Sequence, residues 1–193
     1  MEYYVVTYTH TKIIPWAIFL YPHIRYLKKL VKEGKLLVSG PGVGTPVRSA
    51  QLVFKVKDEG ELNNLLAEDP FSVRGLVATS TINRWKVKWG SMENKETSDG
   101  KAAKYFRVTY TLDEGTALSD GEESNREYAQ KLLDQKQLCA AGSYVNDKFK
   151  GLLILSVDDM VSAEKIMEAS PLVKDFGASY QIIEWNPLYG KMS

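Results

Sequence analysis

The sequence predicts an α+β protein built from two ferredoxin-like βαββαβ units, and three observations carry that expectation. The chain starts an alternating strand with the same tetrapeptide twice, VTYT at Val6–Thr9 and again at Val108–Thr111. The repeat then extends through the whole chain. A shift of 102 residues superimposes both tetrapeptides, Leu36 on Leu138 and Gly40 on Gly142. A shift of 101 superimposes Val56 on Val157, Asp58 on Asp159 and Pro70 on Pro171, and a shift of 100 superimposes Trp85 on Trp185 and Gly90 on Gly190. Two one-residue deletions in the second copy account for the drift. The third observation is the order of periodicities within a copy, which reads strand, helix, strand, strand, helix, strand.

Each element has its own local reason. Tyr3 to Thr9 alternates apolar and polar residues as a half-buried strand does. Pro22 to Glu33 carries Ile24, Leu27, Leu30 and Val31 at helical spacing, and Gly34 ends it. Leu36 to Ser39 is a short strand, and Gln51 to Lys57 alternates again. Asp58 and Glu61 then form a capping box for a helix through Leu62, Leu65 and Leu66. Val77 to Trp89 supplies the closing strand. One such unit, about 90 residues, lays two helices on one sheet face and leaves the other face needing a partner, which a second copy can supply sheet against sheet. The polar stretch GSMENKETSDGKA reads as a linker. The expected organisation is therefore a first domain over 1–90, a linker over 91–101 and a second domain over 102–193.

Composition narrows the function. The chain has 44% hydrophobic and 25% charged residues, with a formal net charge of +1. That near balance gives no broad basic field for nucleic acid or an anionic membrane. A single cysteine, Cys139, excludes an internal disulfide framework and fits a core position in an apolar strand, so a cytoplasmic setting is expected. The N-terminus reads as no secretion signal. The longest apolar stretch, Ile13 to Tyr21, contains Pro15 and is too short to span a bilayer.

The positions where the copies differ say most about chemistry. In the first helix, copy one has YPHIRYLKKLVKEGKLLVSGP where copy two has SNREYAQKLLDQKQLCAAGSY, so Asn125 stands in place of His23. After the second helix, EDPFSVRG is matched by ASPLVKDFG, so Ser170 stands in place of Asp69. The strand YYVVTYTH, the His-bearing helix running into KEGKLLVSGP, and AEDPF followed by Gly75 and a terminal strand resemble the YCII-related family. That resemblance implies a dimeric α+β barrel like that of muconolactone isomerase, here built from tandem copies on one chain. It also implies His23 and Asp69 as a catalytic pair, with copy two a degenerate, structural half.

The residues themselves leave alternatives. His23 flanks the core-facing side of its helix, where a structural histidine fits the same pattern; its chemistry also makes it the best proton carrier near neutrality. Asp69 before Pro70 is an N-cap and N1 pair, worth about 1 kcal/mol without catalysis. Ser170 before Pro171 can keep that cap, so the difference between the copies is mainly the charge that would orient an imidazole. Asp69→Ser is therefore expected to change stability by less than about 1 kcal/mol. His10 follows the first strand and can reach a pocket mouth, although an exposed loop histidine is the commoner case. Arg25 and Arg74 lie near the pair and can hold an anionic group, although exposed helix charges are the commoner case. GPGVGTP lacks the ending of a phosphate loop and reads as a flexible hairpin connection. The segment TKIIPWAIFLY, read as a loop, can roof a pocket with Trp16, Phe19 and Tyr21 or be buried by a second chain; copy two has the acidic DEGTALSDGEE there.

These readings lead to a cofactor-independent proton-transfer enzyme, of isomerase or lyase type, acting on a small cyclic or oxygenated metabolite. His23 and Asp69 are its expected catalytic residues, and Trp16, Tyr21, Arg25, Ser39 and Arg74 its expected substrate-binding residues. No metal constellation and no flavin or nicotinamide fingerprint is present in the sequence. The alternative is a non-catalytic binding or assembly protein, and a homodimer of the two-domain chain is left open. The region of Asn125 and Ser170 is expected to lack a comparable polar pocket, or to have it filled by side chains such as Tyr128 or Tyr144.

Overall fold

The computed structural model of the chain describes residues 1–92, 104–117 and 122–190. Most of the expected linker, residues 93–101, lies outside the described residues, as do residues 118–121 of the acidic stretch. In chain order the elements are β1 (Glu2–His10), α1 (Ile13–Lys32), β2 (Leu36–Pro41), β3 (Arg48–Val56), α2 (Glu59–Glu68), α3 (Pro70–Val73) and β4 (Thr79–Gly90), which complete the first copy. The second copy follows with β5 (Lys104–Thr111), α4 (Glu122–Asp134), β6 (Leu138–Tyr144), β7 (Lys150–Val157), α5 (Met160–Ala169), α6 (Pro171–Lys174) and β8 (Ser179–Trp185), then the short β9 (Tyr189–Gly190).

These elements form two compact units whose limits differ from those of the repeats: Met1–Arg84 with Asn186–Met192, and Trp85–Trp185. The first has strand order β4-β1-β3-β2-β9 and the second β8-β5-β7-β6-β4, with β4 contributing its first half to one and its second half to the other. Both are the ferredoxin-like arrangement with one added edge strand, so the fold is α+β as the periodicities require. No helix among the described residues is long and apolar enough to cross a membrane.

In the first unit, Tyr4, Val6 and Tyr8 of β1 and Leu52, Phe54 and Val56 of β3 bury against Leu27 and Leu30 of α1 and Leu62 and Leu65 of α2. In the second, Phe106 and Val108 of β5 and Leu155 and Val157 of β7 meet Leu132 of α4 and Ile166 and Met167 of α5. Each such side chain contributes about 1.5–3 kcal/mol on leaving water. Asp58 caps α2 as expected, accepting the Glu61 N–H at 2.9 Å, while the Glu61 carboxylate reaches one residue beyond the cap and accepts the Lys57 N–H at 2.8 Å.

The first helix differs from its expected extent. It starts at Ile13 and carries Pro22 in its interior, so TKIIPWAIFLY is mostly helical and His23 lies mid-helix. Pro15 falls in the first turn, where a missing N–H costs nothing. Pro22 deprives only the carbonyl of Ile18, a residue that is itself exposed, where water can replace the lost donor.

Two glycines mark where the added edge strands cross. A Cβ on Gly40 would lie 1.9 Å from the Asn186 carbonyl oxygen, and one on Gly142 would lie 1.9 Å from that of Lys86. Gly40→Ala is expected to destabilise the protein by about 1–3 kcal/mol through this overpacking, read as a lower denaturant midpoint. Gly34→Ala, with a φ of +70° but open space around the new methyl, should lose only about 1 kcal/mol.

Candidate active site

Leu20, His23, Ile24 and Leu27 succeed one another at helical spacing, so α1 presents them together. They line a cavity of about 370 Å³ in the first unit, with His10, Ser39, Arg48, Phe71 and, from the tail, Leu188 among its other walls. His23 and Asp69 are both buried, and His23 Nδ1 lies 2.8 Å from Asp69 Oδ1. The carboxylate has no proton to give, so Nδ1–H donates and Nε2 is the ring nitrogen left for a ligand.

Asp69 does two things with one oxygen. It ends α2 and caps α3, and its Oδ1 also accepts the Phe71 N–H at 2.9 Å. The cap therefore holds the carboxylate still for the histidine. Phe71, inserted by α3, stacks on the His23 ring at 4.0 Å with an interplanar angle of 14°, which limits rotation of the imidazole. Burial and the nearby Asp69 push the phenol of Tyr8 up, so it stays neutral.

His10 takes the less common of its two expected places, at the cavity and not in an exposed loop. It ends β1, is only 6% exposed and lines the cavity. Its Nδ1–H donates to the Leu76 carbonyl at 3.0 Å, and its ring meets the edge of Phe71 at 5.0 Å. Burial is the main cause that lowers its pKa, and nearby His23 and Arg48 add to the effect, partly opposed by the Leu76 bond and Asp69. His10 is thus a neutral imidazole whose Nε2 can accept a hydrogen bond. In the repeat frame its counterpart is Leu112.

A lowered histidine pKa makes folding pH-dependent in a definite direction. Below about 6.5 the unfolded chain takes up a proton that the folded state refuses. Stability is therefore expected to fall as pH drops through about 6.5 and to level off below the folded value. His10→Gln should shrink the difference in denaturant midpoint between pH 5 and pH 7; an unchanged difference would contradict this placement.

The other expected residues divide. Trp16 and Ser39 line the cavity. Ser39 is 2% exposed and its Oγ has no partner among the described residues, so it is free to bond a ligand. Tyr21, Arg25 and Arg74 are exposed and lie outside the lining, and Arg74 sits over the Phe19 ring instead. The helical conformation explains this: one side of the TKIIPWAIFLY stretch turns Trp16 and Leu20 to the cavity, while Ile14, Ile18 and Tyr21 face solvent. The cation at the mouth is Arg48, 4.6 Å over the Trp16 ring. The GPGVGTP connection also contributes, since Gly40 to Gly42, Gly44 and Thr45 line the same cavity.

The second unit overturns one expectation. A cavity of about 350 Å³ surrounds Asn125 and Ser170, nearly the volume of the first. Tyr128 does not fill it because its hydroxyl donates to the Ile166 carbonyl at 2.8 Å and holds the ring to the wall, as Tyr26 does with Leu65 in the first unit. Tyr144 is buried elsewhere and does not line it. Ser170 keeps the cap, accepting the Leu172 N–H at 3.2 Å.

The sequence model of the YCII-related domain matches the chain twice, over residues 1–86 and 103–186. No curated protein matches it significantly. Among solved structures, the chain is similar to a candidate monooxygenase from Fusobacterium nucleatum at 10% identity and a TM-score of 0.63, covering 98% of this chain and 97% of that one. It is also similar to a heme-binding protein from Thermus thermophilus, at 13% identity and a TM-score of 0.62 over 97% and 91% of the two chains. A candidate monooxygenase from Lactobacillus acidophilus matches at 11% identity and 0.57, over 97% and 94%. At these identities the likeness is one of fold.

Proposed function

The chain belongs to the YCII-related family through both of its copies, and on that premise we propose that its first unit is a cofactor-independent proton-transfer enzyme. Its substrate is a small cyclic or oxygenated compound, and its reaction is an isomerisation or an elimination. The observation that carries this reading is that His23, in the wall of a ligand-sized cavity, is held from behind by a buried hydrogen bond of 2.8 Å to Asp69.

The chemistry follows from the arrangement. His23 Nε2 takes a proton from a C–H or O–H of the bound compound, and the electron pair left behind shifts into the ring system of that compound. Asp69 keeps Nδ1–H in place and stabilises the imidazolium that forms. The same nitrogen then returns the proton to another atom of the intermediate or to a leaving group, so no electrons are gained or lost overall. Ser39 Oγ donates to a substrate oxygen, and neutral His10 accepts from a hydroxyl. Arg48 at the mouth pairs with an anionic substituent, while Trp16 and Phe71 give the ring flat apolar surfaces.

Deuterium wash-in tests this directly. The protein is incubated in D₂O with a panel of small phenols, cyclic enols and lactones, and exchange at carbon is followed by NMR. Exchange above the buffer rate for at least one class is expected. Saturable binding of panel members with no exchange would leave a binding protein as the better account.

A further inference from the structure

We propose that the cavity of the second unit is a binding site for a small planar anion, aromatic or cyclic, which it holds without transforming. This goes beyond the proton transfer assigned to the first unit and does not depend on it. Three polar groups of the first site, His10, His23 and Asp69, are replaced by Leu112, Asn125 and Ser170, yet a cavity of nearly the same volume is kept. Asn125 can form hydrogen bonds but cannot carry a proton, and neutral Ser170 supplies no charge to a base. A copy freed from chemistry alone would be expected to close the void, because an unfilled cavity forfeits packing contacts. Instead three wall residues become smaller: Ala129 stands where the first unit has Leu27, Ala141 where it has Ser39, and Leu172 where it has Phe71.

The remaining walls indicate what fits. Trp89, Tyr110 and Tyr128 give flat aromatic surfaces around the cavity. Two lysines line the same cavity. Lys88 is paired with Glu122, whereas Lys148, 5.0 Å over the Phe149 ring, has no carboxylate partner among the described residues. One available cation beside an aromatic-walled cavity matches a carboxylate or phenolate on a flat ring.

The probe is 4-nitrobenzoate, a planar aromatic anion that quenches tryptophan, with 4-nitrobenzamide as its neutral counterpart. In a Trp16→Phe chain the cavity-lining tryptophan is Trp89, so quenching reports the second site alone; the two others, Trp85 and Trp185, are fully buried. Saturable quenching by the anion is expected. Lys148→Glu, a change at an exposed position, should raise its Kd about tenfold and leave the amide unaffected, and Ala141→Leu should abolish binding by filling the cavity. Absence of saturable quenching, or quenching indifferent to Lys148→Glu, would overturn the site even if Ala141→Leu fails to fold. Carbon exchange that survives His23→Asn in any compound the second cavity binds would overturn its non-catalytic nature. Loss of the first unit's activity would leave all the Trp89 measurements intact, so the two readings fail separately.

Discussion

His23→Asn is expected to slow turnover in the first unit by about 10²–10⁴-fold, the usual contribution of a positioned general acid–base group. Asparagine is the residue the second copy carries at this place, so a helix of the same pattern already tolerates it. The substitution keeps a polar side chain in the cavity wall and removes only the ability to take up a proton. Saturation by ligand should therefore change little while the exchange rate collapses, a split that kcat and KM for deuterium wash-in would reveal. Turnover retained within a factor of about three, well short of that contribution, would remove His23 from the chemistry.

Asp69→Ser should have the second largest effect, and it acts on stability as well as rate. The serine can still cap α3, as Ser170 caps α6. It cannot hold His23 as well, because in the native protein both hydrogen bonds fall on the same carboxylate oxygen. A buried Nδ1–H would lose its acceptor, at a cost of about 1–3 kcal/mol, more than the loss of under about 1 kcal/mol that a cap alone suggests. Adding His23→Asn to Asp69→Ser reproduces the second copy's pair and should recover part of that loss. The coupling in a cycle of the four proteins, from denaturant midpoints, is expected between about 0.5 and 3 kcal/mol. Additive losses would mean that the two residues act independently. Turnover of Asp69→Ser alone should fall by at least about tenfold if the carboxylate orients the imidazole.

Most of the architecture was legible because the chain states it twice. Alternation in β1 and β5, the aspartate N-caps at Asp58 and Asp159 and the shared glycines each have a local cause that a second copy repeats. The pair His23 and Asp69 stood out for the same reason, as departures from a frame otherwise kept. What the sequence hid depends on contacts distant along the chain. His10 looks like a loop residue until the Leu76 carbonyl and the Phe71 ring, more than sixty positions on, bury it. The length of α1 was obscured by Pro22, which resembles a start signal and is tolerated mid-helix because it faces solvent. The cavity of the second unit was hidden because side-chain identity does not reveal an empty volume. Tyr128, the residue expected to fill it, instead bonds the Ile166 carbonyl and forms part of its wall.

The placement of β9 has a consequence for how the chain is made. Its partner β2 is finished by residue 41, yet the strand that covers its edge is made only after the whole second copy. Throughout synthesis of the second copy the nascent first unit therefore carries an open edge, a template for pairing with another chain. The second unit is spared, since β4, which borders β6, is made before it. Such late, long-range closure slows folding and leaves partly built states open to association. Termination after Trp185 would make that temporary state permanent. The shortened chain keeps every strand of the second unit and His23, Asp69 and His10 of the first, but it exposes the β2 edge and loses Leu188 from the cavity wall.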